Sequence, residues 1–194
     1  MRPKSPNPKQ IRIIGVGGSG IAILNRIADE KLANVELIAI DTSNEGLLAA
    51  KTEKHLLISE HGLGTGADPK IGESAAHENI NYLQMTLSGA DKAFLTGGLG
   101  GGTASGALPV IAQVTKKLNI PTLSVVTLPF TLEGMHRQNI AHTGVIELEK
   151  WGKELTVVNN EDLLDFVQHD DLTLSKLFSL ASCMVTWKIL SQLI

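Results

Sequence analysis

The chain has 194 residues, of which 43% are hydrophobic and 19% charged, a size and composition that suit one ordered domain, or one and a fragment of a second. Aromatics are only 4%, so the core must be aliphatic, and the net charge of −3 gives no ground for a nucleic-acid partner. The single cysteine, Cys183, excludes an internal disulfide framework and a multi-cysteine metal site, and fits a reducing compartment.

The first ten residues, MRPKSPNPKQ, read as a flexible polar arm without the apolar run of a signal peptide, so a cytoplasmic protein is expected. Residues 11–16 (IRIIGV) are a continuous apolar run ending in glycines, which predicts a buried parallel strand. Ile21, Leu24, Ile27, Ala28 and Leu32 then lie on one helical stripe over 21–32. Residues 35–40 (VELIAI) predict a second strand, 44–50 a short helix and 55–58 an edge strand. A glycine-rich loop over 61–72 leads into a helix that reaches about residue 87. The strand at 92–96 (KAFLT) is followed at once by GGLGGGTASG and then by a helix over 107–118, where Pro109 is tolerated as a first-turn residue. A strand at 122–127, a helix at 133–150, a strand at 155–158 and a last helix from 172 onward complete the series. Residues 177–194 carry one charge, Lys188, and five Ser, Thr or Gln residues, which favours a buried helix over a membrane span. Strands alternating with helices imply a doubly wound α/β fold, a mostly parallel Rossmann-like sheet with helices on both faces. Ligands of such sheets bind at the carboxyl ends of the strands, near the switch point.

Two loops at strand ends carry the chemistry. GVGGSG, Gly15 to Gly20, opens a helix, so glycine backbone and free helix N–H groups can meet a phosphate. It also satisfies G-x-G-x-x-G through Gly15, Gly17 and Gly20, with Asp41 following 21 residues later, the dinucleotide fingerprint. This loop alone leaves NAD, FAD and other phosphate ligands open. GGLGGGTASG has six glycines among ten residues, again between a strand and a helix, and offers a second phosphate cradle. Thr103 and Ser105 add hydroxyl donors to it. A plain helix start needs fewer glycines.

GGLGGGTASG resembles the GGGTGTG motif of the tubulin/FtsZ family, and other segments resemble that family's loops in the same order. GVGGSG resembles its first loop, IDTSNE its NTDAQ, and GLGTGADPKIG its GLGAGANPEVG. VVTLPF is similar to VVTKPF, LEGMHR to FEGxxR, and TVVNNEDLL to TIPNDKLL. The resemblance implies a GTP/GDP-binding domain over 11–170, after an arm over 1–10, with 171–194 as the long central helix at which the chain ends, the second domain absent. It implies that Gly17, Gly18, Ser19 and Gly20, with Ile21 and Ala22, hold the phosphates from one side. Gly100, Gly101, Gly102, Thr103, Ala104, Ser105 and Gly106 hold them from the other, and Ala67 senses the terminal phosphate. Glu133 and Arg137 lie along the sugar, Asn160, Phe178 and Ser182 along the base, and Thr127 and Pro129 also belong to the site. Taken without the resemblance, Glu133 and Arg137 are a helical i,i+4 ion pair and Phe178 is core.

The chain also departs from the family pattern. Ile21-Ala22 stands where a Gly-Asn pair is usual, with Asn25 one turn further on, and Ser182 stands where an Asn or Asp reads guanine. Asp41 and Asp68 replace Asn, so a triphosphate would meet extra negative charge that Mg²⁺ must offset, and GDP would compete well. The family's acidic catalytic loop has no counterpart here, so no residue is assigned as catalytic, and hydrolysis would need a neighbouring subunit's loop. The expected function is a GTP-dependent cell-division protein that self-associates or joins another FtsZ-like subunit. The alternatives are a non-hydrolysing filament regulator and a Rossmann enzyme using Asp41. None of the six histidines shows metal-ligand spacing, and Cys183 is expected in packing. Trp187, Ile189, Leu190, Leu193 and Ile194 are expected to leave a bare apolar surface.

Overall fold

The computed structural model describes residues 10–152, 154–166 and 173–193, so the arm at 1–9, His169, Leu172 and Ile194 lie outside the described residues. Six strands form one sheet: β1 (Ile11–Val16), β2 (Val35–Asp41), β3 (Lys54–Leu57), β4 (Lys92–Gly98), β5 (Thr122–Leu128) and β6 (Glu154–Asn159). Their order is β3-β2-β1-β4-β5-β6 and every pairing is parallel. The helices are α1 (Gly17–Asp29), α2 (Asn44–Leu48), α3 (Pro69–Glu78), α4 (Ile80–Leu87), α5 (Gly102–Lys117), α6 (Met135–Trp151) and α7 (Leu174–Leu190).

Strand side chains alternate between faces, so continuous apolar strands feed two cores. Ile13, Ala39, Phe94, Leu123 and Val125 pack with Ile23, Leu24 and Ile27 of α1 and Val185 and Ile189 of α7. Ile14, Ile38, Ile40, Leu95 and Val126 pack on the other face with α4, α5 and α6. Ile189 is thus fully buried, not part of a bare surface, because α7 lies on the sheet; Trp187 remains 61% exposed.

Several element boundaries move. Both glycine loops are shorter than the sequence pattern implies, since β4 runs through Gly97 and Gly98 and the helices begin on the glycines, at Gly17 and Gly102. Pro109 therefore lies inside α5, well past its first turn, where it removes one helical N–H. The helix expected to run to residue 87 is two helices. Asn79 breaks it and ties the break down, its Nδ2 donating to the carbonyls of Ile58 (3.0 Å) and Ala75 (2.9 Å).

Candidate functional site

The strand order reverses between β1 and β4, whose connections leave toward opposite faces, and a cleft of about 370 Å³ opens at their carboxyl ends. The starts of α1 and α5 converge on it. Neither has a side-chain cap, so the first-turn N–H groups of both keep their hydrogen-bonding capacity and face the cleft with the positive helix ends. Of the other helices, α2, α3 and α7 are capped by Ser43, Asp68 and Thr173, while α4 and α6 also lack a side-chain cap. Gly17 has φ +70°, a left-handed turn that swings the chain from β1 into α1. A Cβ on Gly18 or Gly101 would meet no atom within 4 Å, so both line open space.

The walls come from five further elements. Thr127 ends β5 with Leu128, and Pro129 follows it. Glu133 accepts from the Phe130 N–H (2.9 Å) through Oε1 and from Arg137 (3.1 Å) through Oε2, so the i,i+4 pair exists and also lines the cleft. Asn160 follows β6; it is buried, and its Oδ1 has no hydrogen-bond partner among the described residues. Phe178 on α7 stands edge-on to the buried Phe130 ring at 5.6 Å and exposes the rest of its surface to the cleft. Ser182 lies one turn on, and its hydroxyl donates back to the Phe178 carbonyl (2.9 Å).

Of the residues anticipated from sequence, the cleft gathers Gly17, Gly18, Ser19, Ala22, Gly101, Gly102, Thr103, Ala104, Thr127, Pro129, Glu133, Arg137, Asn160, Phe178 and Ser182. Six stand outside its lining. Gly20 and Ile21 are turned into the fold, Ile21 into the core and Gly20 against the Thr96 carbonyl. Gly106 packs on α3, and Gly100 gives its N–H to Ser105 Oγ (2.9 Å), which turns that hydroxyl inward. Ala67 (φ +67°) lies in the 61–68 loop, which reaches α5 through Thr65 beside Gly102. Val16, Ile23, Gly98, Leu99 and Ala181 line the cleft without having been anticipated. Gly98 belongs to the same glycine run and Ala181 shares a helix face with Phe178; Ile23 carries no sequence signal.

Three other expectations change. Asn25 does not face the cleft; its amide holds Ala49 O and Lys51 N (2.8 and 2.7 Å), pinning the chain after α2. Cys183 is exposed rather than packed, with its Sγ accepting from Arg26 at 3.1 Å. Asp41 is buried outside the cleft lining, its Oδ1 taken by the N–H groups of Thr42 (2.7 Å) and Ser43 (3.2 Å), which removes the ribose ligand that a dinucleotide site would need. Burial pushes its carboxyl above the ordinary value, although hydrogen bonds from Thr42, Ser43 and Thr103 pull the other way.

The model of the tubulin/FtsZ family GTPase domain matches residues 10–168. The chain belongs to the tubulin/FtsZ family. It is 43% identical over 159 residues to the cell division protein FtsZ 1 of Pyrococcus furiosus, an alignment that covers 80% of this chain and 43% of that protein. The corresponding protein of Pyrococcus abyssi is 44% identical over the same length. Among solved structures, an empty FtsZ dimer from M. jannaschii superposes with a TM-score of 0.89 at 35% identity, covering 93% of this chain and 53% of that one. A GTPgS-bound protofilament of CetZ2 from Haloferax volcanii, at 21% identity and a TM-score of 0.81, shares the fold; it covers 93% of this chain and 57% of that one. The chain thus spans about half the length of these tubulin/FtsZ relatives. No helix among the described residues is long and apolar enough to cross a membrane.

Proposed function

We propose that this GTPase domain binds GTP and GDP in the cleft at the β1–β4 reversal and serves as a subunit or regulator of cytoplasmic cell-division filaments. The observation that carries this reading is the meeting of two uncapped, glycine-built helix starts in one cleft. Gly17, Gly18 and Ser19 on one side and Gly101 to Ala104 on the other would hold the phosphates through backbone N–H groups. Glu133 and Arg137 would lie along the sugar, and the Phe178 ring along the base. Asn160 Oδ1, an acceptor without a partner among the described residues, would take a base N–H. Mg²⁺ would enter with the phosphates rather than through a protein cage, since no group of three or more His, Cys, Asp or Glu stands together among the described residues.

Glu133 is the one carboxylate among the described lining residues, and it is engaged by Phe130 and Arg137. Hydrolysis therefore would draw its water-positioning group from a neighbouring subunit, with this domain supplying orientation and charge neutralisation. Titration of GTP, GDP, ATP and NAD with and without Mg²⁺ tests the reading. Binding of GTP or GDP above ATP and NAD is expected; a preference for NAD, or no binding at all, overturns it.

A further inference from the structure

The two edges of the sheet differ. β3 has four residues and carries exposed Lys54 and His55, which guard an edge against pairing. β6 has six, Glu154 to Asn159, with no Pro, Gly, Lys or Arg among them. It pairs with β5 on one side, and on the other its outward backbone groups have no partner among the described residues. Val157 stands in the middle of this strand, 38% exposed. The layer above explains that exposure. α6 packs chiefly on α5 and β5, which leaves a groove of about 520 Å³ beside β6, lined by Val157 and Asn159 on one side and Ala141, His142 and Val145 on the other.

The edge is complementary to a second copy of itself. Two β6 strands related by a two-fold axis normal to the sheet run antiparallel, and their faces match only when one residue sits opposite its own copy. With Thr156 on the axis, Glu154 would be drawn beside Val158, which is buried in the core that α7 seals, and its charge would lose water without gaining a partner. With Val157 on the axis, Leu155 lies opposite Asn159, Thr156 lies opposite Val158, and Glu154 falls past the end of the facing strand. The two Glu154 side chains are then six residues apart, about 20 Å, so like charges do not meet. The covering helices also fit. With α6 over β5, its two copies stand three strand spacings apart, about 14 Å, wider than the roughly 8–10 Å of helices in contact. They clear each other, and the two grooves merge above the paired strands.

We propose that the β6 edge is a two-fold interface between copies of this chain, centred on Val157, which continues the sheet from one subunit into the next. Pairing supplies partners for the outward backbone groups and covers Val157. The contact lies on the flank of the sheet, uses no residue of the glycine loops, and does not depend on nucleotide.

Sedimentation velocity of the nucleotide-free chain over a range of concentrations tests this, beside Val157→Lys, Val157→Glu and their equimolar mixture. The chain is expected to pass reversibly from monomer to dimer. Each charged variant sets like charges face to face on the axis and is expected to weaken the dimer at least about tenfold. Mixing the two is expected to recover it, because Lys then faces Glu. Trp187→Ser, which alters the exposed side of α7, is expected to leave the equilibrium in place. Thermal melts check that each variant is folded.

Cross-linking gives a readout that needs no charged variant. With the exposed Cys183 removed by Cys183→Ser, Val157→Cys is expected to form an intermolecular disulfide under mild oxidation, since facing residues of an antiparallel pair lie about 4.5–5.5 Å apart. Leu48→Cys, at an exposed position on α2, is expected not to. A chain that stays monomeric at every concentration overturns the proposal. So does a dimer that survives both charged variants, a mixture that fails to recover it, an equal loss in Trp187→Ser, or equal cross-linking from Leu48→Cys.

Discussion

Asn160 is buried at the rim of the cleft, and its Oδ1 meets no hydrogen-bond donor among the described residues. Truncating it removes no hydrogen bond made through that atom among the described residues, yet deletes an acceptor that the proposed nucleotide would use. Asn160→Ala is therefore expected to weaken GTP binding about tenfold, the size of one buried hydrogen bond. Stability should stay within roughly 0.5 kcal/mol of the parent; parallel titration and urea unfolding check the pair of outcomes. Glu36 acts on folding instead. Burial by itself would raise its carboxyl, but Lys54 (2.6 Å) and Arg12 (2.8 Å) outweigh that and hold it below its ordinary value. A depressed carboxyl contributes stability above its unfolded value and loses it as pH falls through the folded value. Stability should therefore decline below about pH 4. Glu36→Gln should flatten that part of the curve, measured by melting temperature against pH.

The start of α5 does two jobs with glycine, and neighbouring positions separate them. Gly101 has an extended backbone that any residue adopts, and a Cβ there would point into open space at the cleft. Gly106 lies where α3 crosses α5, and a Cβ there would run into the Pro69 carbonyl and the Glu73 N–H. Gly106→Ala must push the two helices apart and is expected to cost about 1–3 kcal/mol in urea unfolding. Gly101→Val should leave unfolding nearly unchanged and reduce nucleotide affinity at least about tenfold, because a branched side chain would occupy the proposed phosphate approach. Equal effects of the two substitutions on folding would contradict this division. The same packing explains why Pro109 is accepted inside α5: it is buried against neighbouring helices, and tertiary contacts outweigh a weak local preference.

The cleft exists only as a product of the whole sheet. Its lining is drawn from the ends of β1, β4, β5 and β6 and from α7, so a bound nucleotide would tie both halves of the sheet together. Binding to the folded state alone raises stability by mass action, about 2.7 kcal/mol at a ligand concentration one hundred times Kd. Saturating GDP should accordingly raise the melting temperature of the chain, and the rise should vanish in Gly101→Val. A rise of equal size in that variant would place the binding elsewhere. At this scale α7 has two sides: Val185 and Ile189 seal one core and Phe178, on the same face, reaches the cleft, while Trp187 faces outward.

The local pattern alone determined the alternation of strands and helices, the parallel sheet and the two glycine-rich loops at strand ends, because apolar runs, helical stripes and glycine clusters act over short stretches of chain. The ordered set of loop motifs also pointed to the family. Element ends were less legible: glycines read as loop, yet Gly17 and Gly102 begin helices, and a single asparagine, Asn79, splits a helix through hydrogen bonds to the Ala75 carbonyl one turn back and the distant Ile58 carbonyl. Long-range packing alone decided which glycines face the cleft. Gly18 and Gly101 look into the cleft while Gly20 and Gly106 disappear into helix contacts, and nothing in a glycine's identity distinguishes these fates. Only the tertiary structure set Asp41 behind Thr103, Asn25 against the chain after α2 and Cys183 in the open, since each depends on partners that the strand order brings together from far along the chain.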